Sequence, residues 1–148
     1  MKTQSKCLVL LGTLLTFFLG CKKEDGLGTF IKSTYTTKVL TKDGNIQTGT
    51  FTATGGISGN GKAVMDILVT DDSTFCTVWF TQNAGSVTIK ERCSRDMSDP
   101  TGSWRIVAGT GIYSGRRGSG KLSMEFPPNG PTGVTVRETY QGKVWVNP

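Results

Sequence analysis

The sequence predicts an all-β protein, an antiparallel eight-stranded β-barrel of the up-and-down type, and three observations predict it. The chain of 148 residues is rich in Thr and Val and contains 20 Gly. No window beyond residue 20 keeps an apolar period of 3.6 residues, so a helix of any length is excluded there. Short alternating stretches instead recur at close spacing, separated by turn compositions, which is the pattern of a meander closed into a barrel or folded into a sandwich.

Residues 1–20 read as a signal peptide. Lys2 and Lys6 precede the uncharged run CLVLLGTLLTFFLG from Cys7 to Gly20. This run matches the apolar core of an export signal and is shorter than the roughly 20 residues of a spanning helix. It ends at Phe18-Leu19-Gly20-Cys21, which resembles the lipobox of bacterial lipoproteins, where a small residue precedes a cysteine that is acylated and becomes the new N-terminus. Gly20 and Cys21 fit that pattern, while Phe18 and Leu19 depart from it. The resemblance implies lipidation at Cys21 and a membrane anchor, with a buried cysteine as the alternative. Residues 21–28 form a lipidated tether. Its Lys22-Lys23-Glu24-Asp25 is similar to the tag that sends some Gram-negative lipoproteins to the outer face of the outer membrane.

Residues 29–148 are expected to form the barrel domain, a length that buries a real core. Strands are expected at about 29–40, 46–54, 62–70, 75–82, 86–93, 103–108, 119–126 and 133–146. Between them lie Lys42-Asp43-Gly44-Asn45, Gly55 to Gly61, Asp71-Asp72-Ser73, Asn83-Ala84-Gly85 and Asp96 to Gly102, all favourable to turns. Pro127-Pro128-Asn129-Gly130-Pro131 reads as a rigid hairpin loop at a barrel end.

Charge and cysteine usage narrow the chemistry. The formal net charge is +6, and it falls to about +4 once Lys2 and Lys6 leave with the signal. That excess suits solubility or contact with anionic sugars or phosphates, and no basic stripe interleaved with aromatics marks a nucleic-acid partner. With Cys7 discarded and Cys21 acylated, Cys76 and Cys93 remain, an even pair that reads in an oxidising compartment as one disulfide. Such a bridge would stabilise the fold by about 3 kcal/mol through loop closure; two free buried thiols are the alternative. The chain has no histidine. Histidine-based nucleophile systems and general bases are therefore excluded, and no metal site or cofactor is expected.

The stretch Gly115-x4-Gly120-Lys121 comes near a phosphate-binding loop. It fails on context, because Leu122 stands where the magnesium-holding Ser or Thr belongs and the residues that follow alternate as a strand into Pro127-Pro128. A wider pattern covers it. Gly102 to Ala108 reads as a strand and runs into Gly109-Thr110-Gly111-Ile112-Tyr113-Ser114-Gly115, followed by Gly118 and Gly120. This G-T-G-x-Y-x-G arrangement resembles the signature of the allene oxide cyclase and dirigent-like β-barrels. The resemblance covers residues 102–126. It implies an eight-stranded antiparallel barrel, a dimer or trimer in some members, and a cavity for a small apolar molecule. Read from the residues alone, Gly109 and Gly111 suit a sharp corner, Tyr113 packs over it, and Gly118 and Gly120 suit a bulge. These are scaffold positions, so no catalytic residue follows from the match.

Strand alternation supplies the candidate lumen and ligand residues. Val87, Ile89, Glu91 and Cys93 share one face of their strand, as do Val134, Val136, Glu138 and Tyr140. Glu91 and Glu138 thus sit on mainly apolar faces, where a carboxyl has a raised pKa unless it is paired. The alternative is a structural ion pair of Glu91 with Arg105 or Arg137. Trp79 shares a face with Phe75 and Thr77, and Trp104 with Ile106 and Ala108; core packing is expected for both, with pocket lining as the other role. Arg116, Arg117 and Lys121 form either an anion contact or a solvated loop.

Three function classes stay open. The first is a lipid-anchored, non-enzymatic barrel at the outer membrane that binds a small apolar molecule or a surface partner. The second is a histidine-free isomerase or cyclase acting in the lumen, which an open lumen beside Glu91 or Glu138 would favour and a filled one would oppose. The third is a module for polysaccharide or protein, marked by an exposed aromatic platform.

Overall fold

The computed structural model describes residues 26–42, 44–94, 98–128 and 135–146. Eight strands follow one another in chain order: β1 Leu27–Leu40, β2 Gly44–Gly55, β3 Gly59–Val69, β4 Ser73–Gln82, β5 Gly85–Ser94, β6 Thr101–Gly109, β7 Arg116–Glu125 and β8 Val136–Val146. Each pairs antiparallel with its sequence neighbours, and β8 pairs back onto β1 from Leu27↔Val144 to Tyr35↔Val136, which closes the barrel. The expected strands match these in number and order and differ at their ends by up to three residues. Signal peptide, Cys21 and the charged tether up to Asp25 lie outside the described residues, as does Asn129-Gly130-Pro131.

Period-two alternation places the core. Ile31 and Tyr35 of β1, Phe51 and Ala53 of β2, Ala63 and Met65 of β3, and Val78 and Phe80 of β4 point inward and are buried. Val87 and Ile89, Trp104 and Ile106, Leu122, and Val136, Tyr140 and Val144 complete the wall from β5 to β8. Side chains fill this interior. Phe51 and Phe80 approach at 4.8 Å between ring centroids, and Tyr140 meets Phe80 edge-on at 5.4 Å and Trp104 at 6.4 Å.

The two ends differ. At one, a single 3-10 turn, Gly111–Tyr113, folds across the opening between β6 and β7. Gly111 takes a φ of 59°, a left-handed conformation that favours glycine, and this lets the turn reverse. Tyr113 is buried as a plug: its hydroxyl donates to the Ser58 carbonyl at 2.8 Å and accepts from Gln82 Nε2. Arg116 lies over the Tyr113 ring and donates from Nη1 to the Gly56 carbonyl at 2.6 Å. It is thus a latch of the plug, not a free anion contact.

Two sequence expectations are corrected here. Gly118 and Gly120 lie in an unbroken β7–β8 ladder with no bulge, and the register shifts fall instead between Tyr35 and Thr37 and between Thr88 and Ile89. The β7 and β8 glycines make room: a Cβ on Gly142, which faces Gly120, would come within 2.6 Å of the Trp104 ring. The ring's indole N–H then donates to the Lys121 carbonyl at 3.0 Å.

The second correction concerns Cys76 and Cys93, which are free thiols, both buried. Register explains this. Cys76 faces Glu91 across the β4–β5 pair and Cys93 faces Thr74, so the cysteines are diagonal neighbours. Diagonal positions stand roughly 7–8 Å apart, beyond the usual Cα separation of a disulfide. The thiols lie close enough to shift each other's ionisation.

Candidate functional site

Among the described residues, the interior holds two buried carboxyls, and they come together in one place. Glu91 from β5, Glu138 and Tyr140 from β8, and Ser33 and Tyr35 from β1 meet inside the barrel, toward the end away from Tyr113. The two glutamates are each 2% exposed. Alternation alone brings them in: Glu91 follows inward Val87 and Ile89, and Glu138 lies between inward Val136 and Tyr140. The Tyr140 hydroxyl bridges them, at 2.6 Å from Glu91 Oε1 and in short contact with Glu138 Oε2. Ser33 Oγ donates to the same Glu138 oxygen at 3.3 Å. Phe80 and Trp104 hold the Tyr140 ring edge-on and so fix where its hydroxyl points.

Proton accounting follows from this geometry. A phenol carries one hydrogen, so Tyr140 can donate to only one carboxylate. For both contacts to be hydrogen bonds, the other carboxyl must be protonated and donate to the tyrosine oxygen. Electrostatics agree. Burial, opposed by the bonds from Tyr140 and Ser33 and by the nearby Tyr35 hydroxyl, pushes Glu138 up from an ordinary 4.5 to about 7. Glu91 is raised well above the usual carboxylate range by burial first and by the neighbouring Glu138 charge second. Burial also raises Tyr35 and Tyr140.

Two atoms of the cluster have no hydrogen-bond partner, the Tyr35 hydroxyl and Glu91 Oε2. Tyr35 lies close enough to Glu138 to influence its charge, yet falls short of bonding geometry. The cysteines border the cluster. Cys76 sits opposite Glu91, and its thiol is pushed up by the contact with Cys93 and then by burial. Cys93 is lowered by its contact with Cys76.

The other candidates lie elsewhere. Arg105 is exposed on the outward face of β6 and does not reach Glu91. Arg137 pairs on the outside with Glu125 at 3.5 Å. The expected ion pair is thus replaced by the tyrosine bridge. Trp79 is 38% exposed and Phe75 40%, both outward on β4, because Cys76, Val78 and Phe80 occupy the inward face. Neither lines the lumen. Tyr140, Tyr35 and Ser33 were not singled out from the sequence; the i, i+2 spacing of Glu138 and Tyr140 was the signal for the first, whereas only the long-range register of β1 supplies the others. Among the described residues, no group of three or more Cys, Asp or Glu is arranged to hold a metal ion.

No family model matches the chain, and no curated protein does. Among solved structures, a pyocyanin demethylase is similar to it with a TM-score of 0.44 and 18% identity, over 80% of this chain and 98% of that one. The chain is accordingly described by its architecture, an all-β, closed, eight-stranded antiparallel barrel.

Proposed function

We propose that this protein is an exported barrel, anchored by lipid at Cys21 to the outer membrane of a Gram-negative bacterium, that binds a small molecule through the Glu91–Tyr140–Glu138 cluster. The observation that carries the binding role is the pair of unpartnered buried atoms, Tyr35 Oη and Glu91 Oε2, beside two carboxyls bridged by the Tyr140 hydroxyl. A cluster kept only for stability would have its groups satisfied. Each orphaned group costs about 1–3 kcal/mol, and apolar residues of similar volume would hold the same core more firmly. The open donor and acceptor suit a ligand's polar group, with the apolar barrel wall around it. The ligand is small, because Phe51 and Phe80 fill the half nearer the plug.

A second reading uses the same residues. Glu138, at about 7, is matched to proton transfer near neutral pH. This favours a histidine-free isomerase, while the filled interior opposes it until a ligand displaces side chains near the unplugged end.

Native mass spectrometry of the protein purified from an exporting host tests the binding role. A small molecule that co-purifies, leaves on unfolding and is absent from Glu91→Gln and Glu138→Gln is expected. Bare wild-type protein, or a ligand retained by both variants, would overturn the assignment.

A further inference from the structure

The outward side of β5 to β8 carries a dense and one-signed charge pattern. Register aligns Lys90, Arg105, Ser119 and Lys143 in one row across the four strands, and Arg92, Ser103, Lys121 and Gln141 in the next. Five bases therefore occupy two adjacent rows that contain no acid. Lys90 and Arg105 stand directly opposite each other, an arrangement that destabilises a strand pair unless an anion intervenes. On the outward faces of these strands, among the described residues, the one acid is Glu125, already paired with Arg137. Glu91 and Glu138 point inward.

The second row is also concave. A groove of about 760 Å³ runs along it, with Arg92, Ser103, Lys121, Ser123, Thr139 and Gln141 among its lining residues. Its cations are separated by hydroxyls and an amide. Beside it lies Phe75, an outward aromatic of β4, with the Arg92 guanidinium 5.9 Å from its ring centre; Trp79, also outward, stands two rows farther along, opposite Thr88.

We propose that this groove binds an acidic polysaccharide. Arg92 and Lys121 are two strands apart, as are Arg105 and Lys143, a separation of roughly 10 Å. That spacing suits carboxylates carried on alternate sugar units and is wider than that of adjacent phosphates on a nucleic-acid strand. Ser103, Ser123, Thr139 and Gln141 then meet sugar hydroxyls, and Phe75, next to Arg92, offers a flat apolar face to a ring. Arg92 has the fork geometry for a carboxylate, and Lys121 acts as a point charge. This surface is independent of the interior cluster, and Glu91→Gln leaves it intact.

Calorimetric titration with polygalacturonate, with uncharged dextran and with a single-stranded oligonucleotide tests the proposal. Polygalacturonate is expected to bind, more weakly as salt rises, and dextran not to bind. Arg92→Gln and Lys121→Gln should each weaken binding about tenfold, the loss of one charge-assisted hydrogen bond. Lys62→Gln on β3, away from these rows, should leave it unchanged. Ser103→Asp gives a second test, since it adds a carboxylate to the groove and should also weaken binding; melting curves confirm that each variant folds. Absence of polygalacturonate binding at low ionic strength, indifference to the groove substitutions, or tighter binding of the oligonucleotide would each overturn the assignment.

Discussion

Tyr140 offers one hydrogen to two buried carboxyls, so one of them keeps its own proton, and that carboxyl proton makes the barrel's stability depend on pH. Glu138 titrates near 7 in the folded protein and near 4.5 when exposed. The folded state therefore binds more protons between those values, and stability must fall as pH rises through them. From Glu138 alone the loss amounts to about 3 kcal/mol, and Glu91, raised in the same direction, adds to it. Urea denaturation at pH 4.5 and at pH 8 should show this decline, and Glu138→Gln should flatten it. Equal stability at both values would mean that the two carboxyls are solvated. Both acids were legible in the sequence, because alternation in 87–93 and 134–140 places a glutamate among inward apolar residues. Their bridging was not, since Tyr35 and Ser33 arrive through pairing across about a hundred residues of chain. Trp79 misled for a different reason: both faces of 75–82 are apolar, so alternation could not say which one turns inward.

Strands β7 and β8 depend on what is missing from them. At Gly142 an added Cβ would stand 2.2 Å from the Ser119 carbonyl oxygen and 2.6 Å from the Trp104 ring, neither of which can yield easily. Gly142→Ala should destabilise the protein by about 3 kcal/mol, read as a lower urea midpoint. Gly28, whose added Cβ would meet nothing within 4 Å, provides the control, and its alanine variant should change stability by less than about 0.5 kcal/mol. If the two substitutions behave alike, Trp104 is not seated on the glycines. Strand positions were readable from composition because turn residues punctuate them so regularly. The purpose of Gly118 and Gly120 was not, because a glycine that makes a bulge and one that admits a close backbone or side-chain approach look the same in one dimension.

Among the described residues every strand has a partner on both sides, so the closed barrel has no free edge strand, although the β6–β7 seam is paired only from Thr101↔Ser123 to Arg105↔Ser119. Contacts with other molecules must use side chains on its outside or its ends. The proposed anchor is testable at this level: Cys21→Ser should abolish metabolic labelling with palmitate and move the protein from the membrane fraction to the soluble one. Unchanged labelling would place the acyl group elsewhere or refute it.

β1 begins at Leu27, beside Val144, on the end that Tyr113 plugs. Only five residues lie between Cys21 and Leu27, a leash of at most about 20 Å even when fully stretched. With Cys21 held in the outer leaflet, the barrel would stand on its stoppered base like an upright flask. Its acid-bearing mouth would look away from the lipid, toward whatever the cell meets outside.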